Sequence, residues 1–411
     1  MTAGGPVTPE GKVTPEGTVT GQWLADRAEQ RRRAGLQRSV SARVDGRLDL
    51  ASNDYLSLSR DPRVIAGAVA AAQRWGAGAT ASRLVSGTTA AHLELERALA
   101  AFVGFEAGLV FSSGYLANLG AVTSLADADT TILSDSANHA SLIDACRLSR
   151  ARIRVFEHGA VDQLEELLAA AGGRRVLVVT DAVVSVDGQL APLAKLQQAC
   201  RRYGALLLVD EAHSLGVLGE GGRGAIAAAG LAGLEDIVVT ATLSKSLASQ
   251  GGVVLAGAAV VDHLVNTARP MIFDTGLAPA SVGAATAALT VLSEQPELPA
   301  RARAATNRLH RSLLAAGWDS PTPQAAITAA LIGRPERALS AQRQCADLGL
   351  TVGCFRPPSV TDGVSRLRLT GHAGLTDAEL RQVDELLATV AADGRRADRA
   401  DNDASSEVPA S

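Results

Sequence analysis

Short apolar runs, several ending in a polar residue, alternate along the chain with longer Ala- and Leu-rich segments of helical period. The runs are Leu109–Phe111, Ile132–Ser134, Ile153–Phe156, Val176–Thr180, Leu206–Asp210, Ile237–Thr242 and Val253–Leu255. Runs this short and this continuous predict strands buried on both faces, and the helical segments between them predict crossovers, so the pattern specifies an α/β domain with a mostly parallel sheet. Open sheets of this kind bind ligands beyond the carboxyl ends of their strands. Asp181, Asp210 and Thr242 fall at such ends. From about Ala284 the pattern changes to helices with a few strands, near Ala326–Ile332 and Arg366–Thr370, which predicts a smaller α+β C-terminal domain.

The ends differ from the middle. Val-Thr-Pro-Glu-Gly occurs at Val7–Gly11 and again at Val13–Gly17, and low apolar content with Pro and Gly predicts a disordered leader over 1–20. Polar residues predict a similar tail over 392–411. Between them lie an N-terminal segment (21–60), a large domain (61–283) and a small domain (284–391).

Composition narrows the function. With 39 Lys and Arg against 43 Asp and Glu, a general nucleic-acid or anionic-membrane binder is disfavoured. The four cysteines include no C-x-x-C pair, so a reducing cytoplasm fits better than a disulfide framework. Two uncharged stretches, Ala107–Ala126 and Thr275–Ser293, are interrupted by Ser112-Ser113-Gly114 and by Gly276 and Pro279, which argues for core elements rather than membrane spans.

Three strand ends carry candidate chemistry. Leu206–Asp210 continues as Glu-Ala-His213, delivering a carboxylate and an imidazole into one crevice, where a buried charge calls for a cationic partner. Beyond Thr242, in Leu-Ser-Lys245-Ser, a lysine among small residues can lose its proton and attack carbonyls. Ser112-Ser113-Gly114-Tyr115 reads as a turn into a helix, whose free amides suit an anion. Gly219-Glu-Gly221-Gly-Arg-Gly224 has the dinucleotide spacing but does not directly follow its strand, so a nicotinamide site is disfavoured. His92, His158, His263, His310 and His372 have no metal-ligand spacing and read as surface or packing residues; no metal is expected. A lysine, an Asp, a His and an anion-binding turn together suit one cofactor, pyridoxal 5'-phosphate.

The order of motifs resembles the α-oxoamine synthases, fold-type I pyridoxal-phosphate transferases that condense an amino acid with an acyl thioester and release carbon dioxide. The resemblance runs from about Leu50 to Ala391 through Ala51-Ser-Asn53-Asp-Tyr-Leu56, Ser82-Arg-Leu-Val-Ser-Gly87, Phe111–Tyr115, His139-Ala-Ser-Leu142, Asp210–His213, Thr242–Lys245 and Arg356-Pro-Pro358. It implies a mostly parallel seven-stranded sheet flanked by helices and a smaller α+β domain. It also implies that Lys245 forms the imine with the cofactor and moves the Cα proton. Asp210 then pairs with the ring nitrogen, His213 and Ser185 sit by the ring hydroxyl, and His139 and Ala212 cover the two ring faces. Gly114, Tyr115 and Thr242 would hold the phosphate, with Thr275 reaching the site of the neighbouring subunit, which implies a homodimer with shared sites. Arg356 would clamp the amino-acid carboxylate, Asn53 would join from the N-terminal segment, and Ser359 and Arg38 would meet substrate. Within the family the motifs are most similar to the branch that joins L-alanine to a pimeloyl thioester, carried on CoA or a carrier protein, in biotin biosynthesis. The alternatives are a sibling using glycine or serine with another acyl-CoA, a transamination or aldol cleavage on the same fold, and a non-catalytic subunit. Ser57, Ser214 and Ser359 depart from the residues usual in that branch, and Ser214 is shared with palmitoyl-transferring relatives.

Overall fold

Each of the seven apolar runs forms a strand of one sheet. The computed structural model describes residues 18–406 apart from 41, 358 and 361. After a short β1 (Leu48–Asp49) come β2 (Ala107–Phe111), β3 (Thr131–Asp135), β4 (Arg152–Phe156), β5 (Val176–Asp181), β6 (Leu206–Asp210), β7 (Ile237–Thr242) and β8 (Gly252–Ala256). The large sheet has the order β2-β8-β7-β6-β5-β3-β4. Only β8 runs against its neighbours in this sheet, pairing antiparallel with β2 and β7. The ends of β3, β5, β6 and β7 therefore share one rim.

Alternate residues of the buried strands enter different cores. Val178, Val209 and Val239 join the cluster under Leu95, Leu99, Leu196 and Val282. Leu177, Val179 and Leu208 join Ala117, Val122 and Leu142 on the other face. Burying each such side chain stabilises the fold by about 1.5–3 kcal/mol, which is why continuous apolar runs hold their register here.

The helix Pro279–Glu294 crosses Pro62–Trp75 at a seam of small residues. A Cβ added to Gly283 would lie 2.3 Å from Gly67 O and 2.5 Å from the Ala71 Cβ. Ala285, Ala288 and Leu292 of this helix belong to the large-domain core. The domain boundary expected at 283/284 thus falls inside a continuous helix, because the apolar stretch covers the large domain rather than opening the small one.

The small domain contains β9 (Ile327–Gly333), β10 (Leu350–Thr351), β11 (Gly353–Phe355) and β12 (Ser365–Thr370), with β11-β12-β9 forming an antiparallel sheet. Leu309, Leu313, Cys345, Leu367, Leu369, Val383 and Leu387 form its core. β1 pairs with β10, so the N-terminal segment is built into this domain. The last helix runs from Asp377 to Ser406, into the stretch where the composition predicts a tail, and residues 1–17 and 407–411 of the expected leader and tail lie outside the described residues. No helix among the described residues is long and apolar enough to cross a membrane.

Candidate active site

A cavity of about 590 Å³ opens over the strand rim, bordered by Asn53, His139, Ser185, His213, Lys245, Ser359 and Arg368 among others. Large-domain turns supply one wall. β12 and the segment before it supply the other.

Lys245 Nζ lies 2.9 Å from His213 Nε2. Burial, opposed by the charges of Asp210 and Asp181, brings the amine down to about 8. Burial and then the Lys245 charge hold His213 well below the usual histidine range, so its ring is neutral and accepts from the amine at Nε2. The proton then resides on Nδ1, which is 2.6 Å from the Tyr55 hydroxyl. That hydroxyl donates in turn to Asn53 Oδ1 at 3.3 Å, and Arg368 Nη2 donates to the same oxygen at 3.1 Å. One hydrogen-bonded chain therefore joins the lysine to the arginine through the N-terminal segment.

Asp210 accepts from Asn118 Nδ2 at 2.6 Å and from the Ala212 N–H at 2.7 Å. Asn118 reaches it because it lies one turn into the helix Gly114–Leu125, with its own oxygen taken by Thr240 at 2.6 Å. The Asp210 side chain is buried and has no ion-pair partner among the described residues. A pyridinium N–H would supply one.

The anion turn meets the lysine loop. A Cβ on Gly252 would stand only 2.4 Å from Ser113 O, so that contact requires glycine, and one on Gly114 would press against Thr242 Cβ at 3.1 Å. Ser113 caps the helix at Leu116 N, while Thr242 and Ser244 share a 2.6 Å hydroxyl contact across the turn. Backbone donors at a helix start beside two hydroxyls fit a phosphate. With the lysine and Asp210 at the same rim, the residues present fit pyridoxal phosphate.

His139 follows β3 with its backbone N–H on Asp181 Oδ2 at 3.1 Å. Its Nδ1 is 2.7 Å from Ser141 Oγ and also accepts the Ser141 N–H at 3.3 Å. Asn118 donates to the same Ser141 oxygen, leaving the serine proton for His139. Two donors on Nδ1 put the ring proton on Nε2. Burial lowers the pKa of this imidazole, so that neutral form is favoured.

Other sequence candidates lie elsewhere. Arg356 does not border the cavity; its guanidinium donates to Gly35 O. Arg38 is exposed. Tyr115 is 42% exposed and donates to Asp144 at 2.5 Å. Thr275 is exposed and bridged to Ser82, outside the lining of its own chain's cavity. Pro358 lies outside the described residues.

Arg368 and Tyr55 are the functional candidates that sequence reasoning missed. Arg368 is 5% exposed, donates to Ser185 O at 2.9 Å, lies over Phe355 and leaves its Nε without a partner. Its neighbour Arg366 is neutralised by Asp187 and Asp362. The sequence signal is the alternation Arg366-Leu-Arg368-Leu, which marks two arginines on the face of a strand opposite its core.

Ser214 faces away from the cavity. It is fully buried and donates to Glu211 Oε2 at 2.9 Å; Glu211 also accepts from the Ala225 and Ile226 N–H groups at 3.0 and 2.6 Å. A Cβ on Gly224 would approach Glu211 Oε2 to 1.8 Å. The glycine loop with dinucleotide spacing therefore leads into two amides, those of Ala225 and Ile226, that hold the chain's own Glu211 carboxyl. Ser57, at φ +58, is fixed by His372 Nδ1 at 2.7 Å and by Gly374 N at 3.0 Å.

Residues 46–387 match the aminotransferase class I and II family model, and the chain belongs to that family, whose fold is that of the fold-type I pyridoxal-phosphate transferases. It is 55% identical over 377 residues to the 8-amino-7-oxononanoate synthase of Mycobacterium sp. (strain KMS), covering 91% of this chain and 97% of that one. A Lys-to-Ala variant of serine palmitoyltransferase from S. paucimobilis, solved with a pyridoxal phosphate–myriocin aldimine, superimposes with a TM-score of 0.85 at 31% identity, over 91% of this chain and 98% of that one. The 8-amino-7-oxononanoate synthase of Francisella tularensis does so at 0.73 and 27%, over 84% and 98%. Within the family, the chain stands with the α-oxoamine synthases, most like the 8-amino-7-oxononanoate synthases.

Proposed function

We propose that this chain condenses L-alanine with a pimeloyl thioester, giving 8-amino-7-oxononanoate, carbon dioxide and free thiol, as a cytoplasmic, pyridoxal-phosphate-dependent homodimer. The observation that carries the chemistry is the partly neutral Lys245 amine beside neutral His213 and the unpaired carboxylate of Asp210. The choice of substrates rests on the 55% identity to the Mycobacterium relative.

Pyridoxal phosphate, when bound, supplies an aldehyde for amine capture and a cationic ring that takes up the electron pair of the broken Cα bond. Asp210, oriented by Asn118 and the Ala212 amide, holds the proton on the ring nitrogen. Lys245 provides the capturing amine and then the base for the Cα proton, and its pKa of about 8 leaves enough free amine for both. Arg368, the buried guanidinium without a carboxylate partner, binds the amino-acid carboxylate together with Asn53; this gives it the role the resemblance assigns to Arg356. The Nε2–H of His139 donates to the thioester carbonyl oxygen as negative charge builds there.

Thr275 serves the site of the second subunit, which accords with its exposure and its place outside the lining of its own chain's cavity. The exposed Val85 and Phe273 would be covered in that dimer. The free cysteines suit a reducing compartment.

The test is product analysis with alanine, glycine and serine against pimeloyl and longer acyl thioesters. Alanine with pimeloyl thioester is expected to give 8-amino-7-oxononanoate. Preference for serine with a long acyl-CoA would overturn the substrate assignment and leave the condensation chemistry standing.

A further inference from the structure

Nothing in the sequence pattern singles out His158, yet it borders the same cavity as His139 and Lys245. Its Nδ1 is 2.9 Å from Asp135 Oδ2 at the end of β3, and its backbone N–H donates to Ser136 Oγ at 3.1 Å. Its Nε2 is buried without a partner.

Both contacts fall on the turn that leads to His139. Asp135 is 2% exposed; its other oxygen accepts the Ala137 N–H at 2.9 Å, and Oδ2 also takes the Thr180 hydroxyl at 3.0 Å. Asn138 ties the turn to β5, donating to Val179 O at 2.9 Å and accepting from Asp181 N at 3.0 Å. The turn is thus fixed from β5 on one side and from His158, beyond the edge strand β4, on the other.

We propose that His158 is a positioning residue for the reaction: its ring on Asp135 and its amide on Ser136 fix the turn that presents His139 to the cavity. The inference rests on the reading above in which His139 meets the reacting carbonyl. Asp135 supports it by holding the ring's pKa above the ordinary value through their hydrogen bond, so that the contact is charge-assisted. Without the ring, Asp135 loses one of its three donors and the turn one of its two outer ties, and small displacements at a reacting site are costly.

The test is a double-mutant cycle on the holoenzyme. His158→Ala should lower kcat by about 10- to 100-fold, with the alanine KM and the dissociation constant for pyridoxal phosphate changed by no more than about threefold. His158→Asn, whose Nδ2 takes the place of the ring Nδ1 that meets Asp135, should recover most of the loss. In a His139→Asn background, His158→Ala should cost nothing further. An additive loss in that background, an unchanged kcat, or failure of asparagine to rescue would overturn the proposal. If His158→Ala does not fold, His158→Leu, which fills the space without a donor, takes its place in the cycle. Wild-type protein inactive with every substrate pair would instead count against the function proposed above. The inference would then be read from the visible circular dichroism of bound pyridoxal phosphate, which His139→Asn and His158→Ala must alter alike; an unaltered spectrum in the His158 variant would overturn it.

Discussion

Ser214→Ala separates a structural serine from a specificity serine. The hydroxyl donates to a buried carboxylate at 2.9 Å, and its removal leaves Glu211 with the two amides of residues 225 and 226. A hydrogen bond to a charged group is worth about 1.5–3 kcal/mol. For a chain of this length about 2 kcal/mol corresponds to a fall in Tm of only about 2–3 °C, so differential scanning calorimetry on matched samples is the assay. pH gives a second handle. Burial raises Glu211 from 4.5 to about 7, so the proton it binds on folding stabilises the protein fully below pH 4.5, and that contribution is lost as pH rises through 7. Removing a donor to the charged form raises this pKa further. The deficit of the variant should therefore be larger at pH 8.5 than at pH 5.5, while its ratio of alanine to serine turnover stays that of the wild type. A shift of that ratio toward alanine would refute the reasoning and make Ser214 a determinant of substrate choice.

Other expectations follow from the same geometry. Lys245→Met should abolish borohydride trapping of pyridoxal phosphate and yet stabilise the apoprotein near pH 7. The lowered amine pKa means that burying the charge costs stability below about pH 8, a cost relieved as pH climbs toward 10.5; urea titration at pH 7 and 10 checks the sign. Arg368→Lys should raise the alanine KM roughly 10- to 100-fold, because a point charge replaces a planar fork; a larger effect from Arg356→Lys would return the clamp to that residue. Glu96→Leu strands the Arg83 guanidinium, now 2.8 Å from its carboxylate with both side chains buried, and should cost about 3–5 kcal/mol in thermal unfolding. Gly283→Val should also destabilise, by about 1–3 kcal/mol or more, since the added atoms meet Gly67 backbone.

The large sheet was legible because buried parallel strands leave continuous apolar runs, and the polar residues closing several of them mark the ligand rim. Lys245, His213 and Asp210 meet there as their positions after β7 and β6 require. Partnerships between distant segments left no local trace. Arg368 sits in an alternating strand that reads as half-solvated, and only the packing of the small domain over the rim makes its polar face an inner wall. The loop at Gly219–Gly224 has the spacing of an anion site in sequence, but the amides just after it are taken by the Glu211 carboxyl, whose role appears only when the chain closes on itself. His158 resembled any other histidine until β4 was paired beside β3. The expected boundary at 283/284 divides the helix Pro279–Glu294 because amphipathic pattern says which face is covered and not by which neighbour.

The chain of hydrogen bonds from Lys245 through His213, Tyr55 and Asn53 to Arg368 also sets a time at which the site comes into being. His213 and Tyr55 are 158 residues apart in sequence, and Asn53 and Arg368 are 315 apart. During synthesis the lysine emerges long before the arginine that completes its surroundings. A growing chain can build most of the large sheet before Arg368 has been made. The wall that faces the lysine is complete only when the last strand of the small domain closes over the rim, so the substrate pocket is finished at the end of folding.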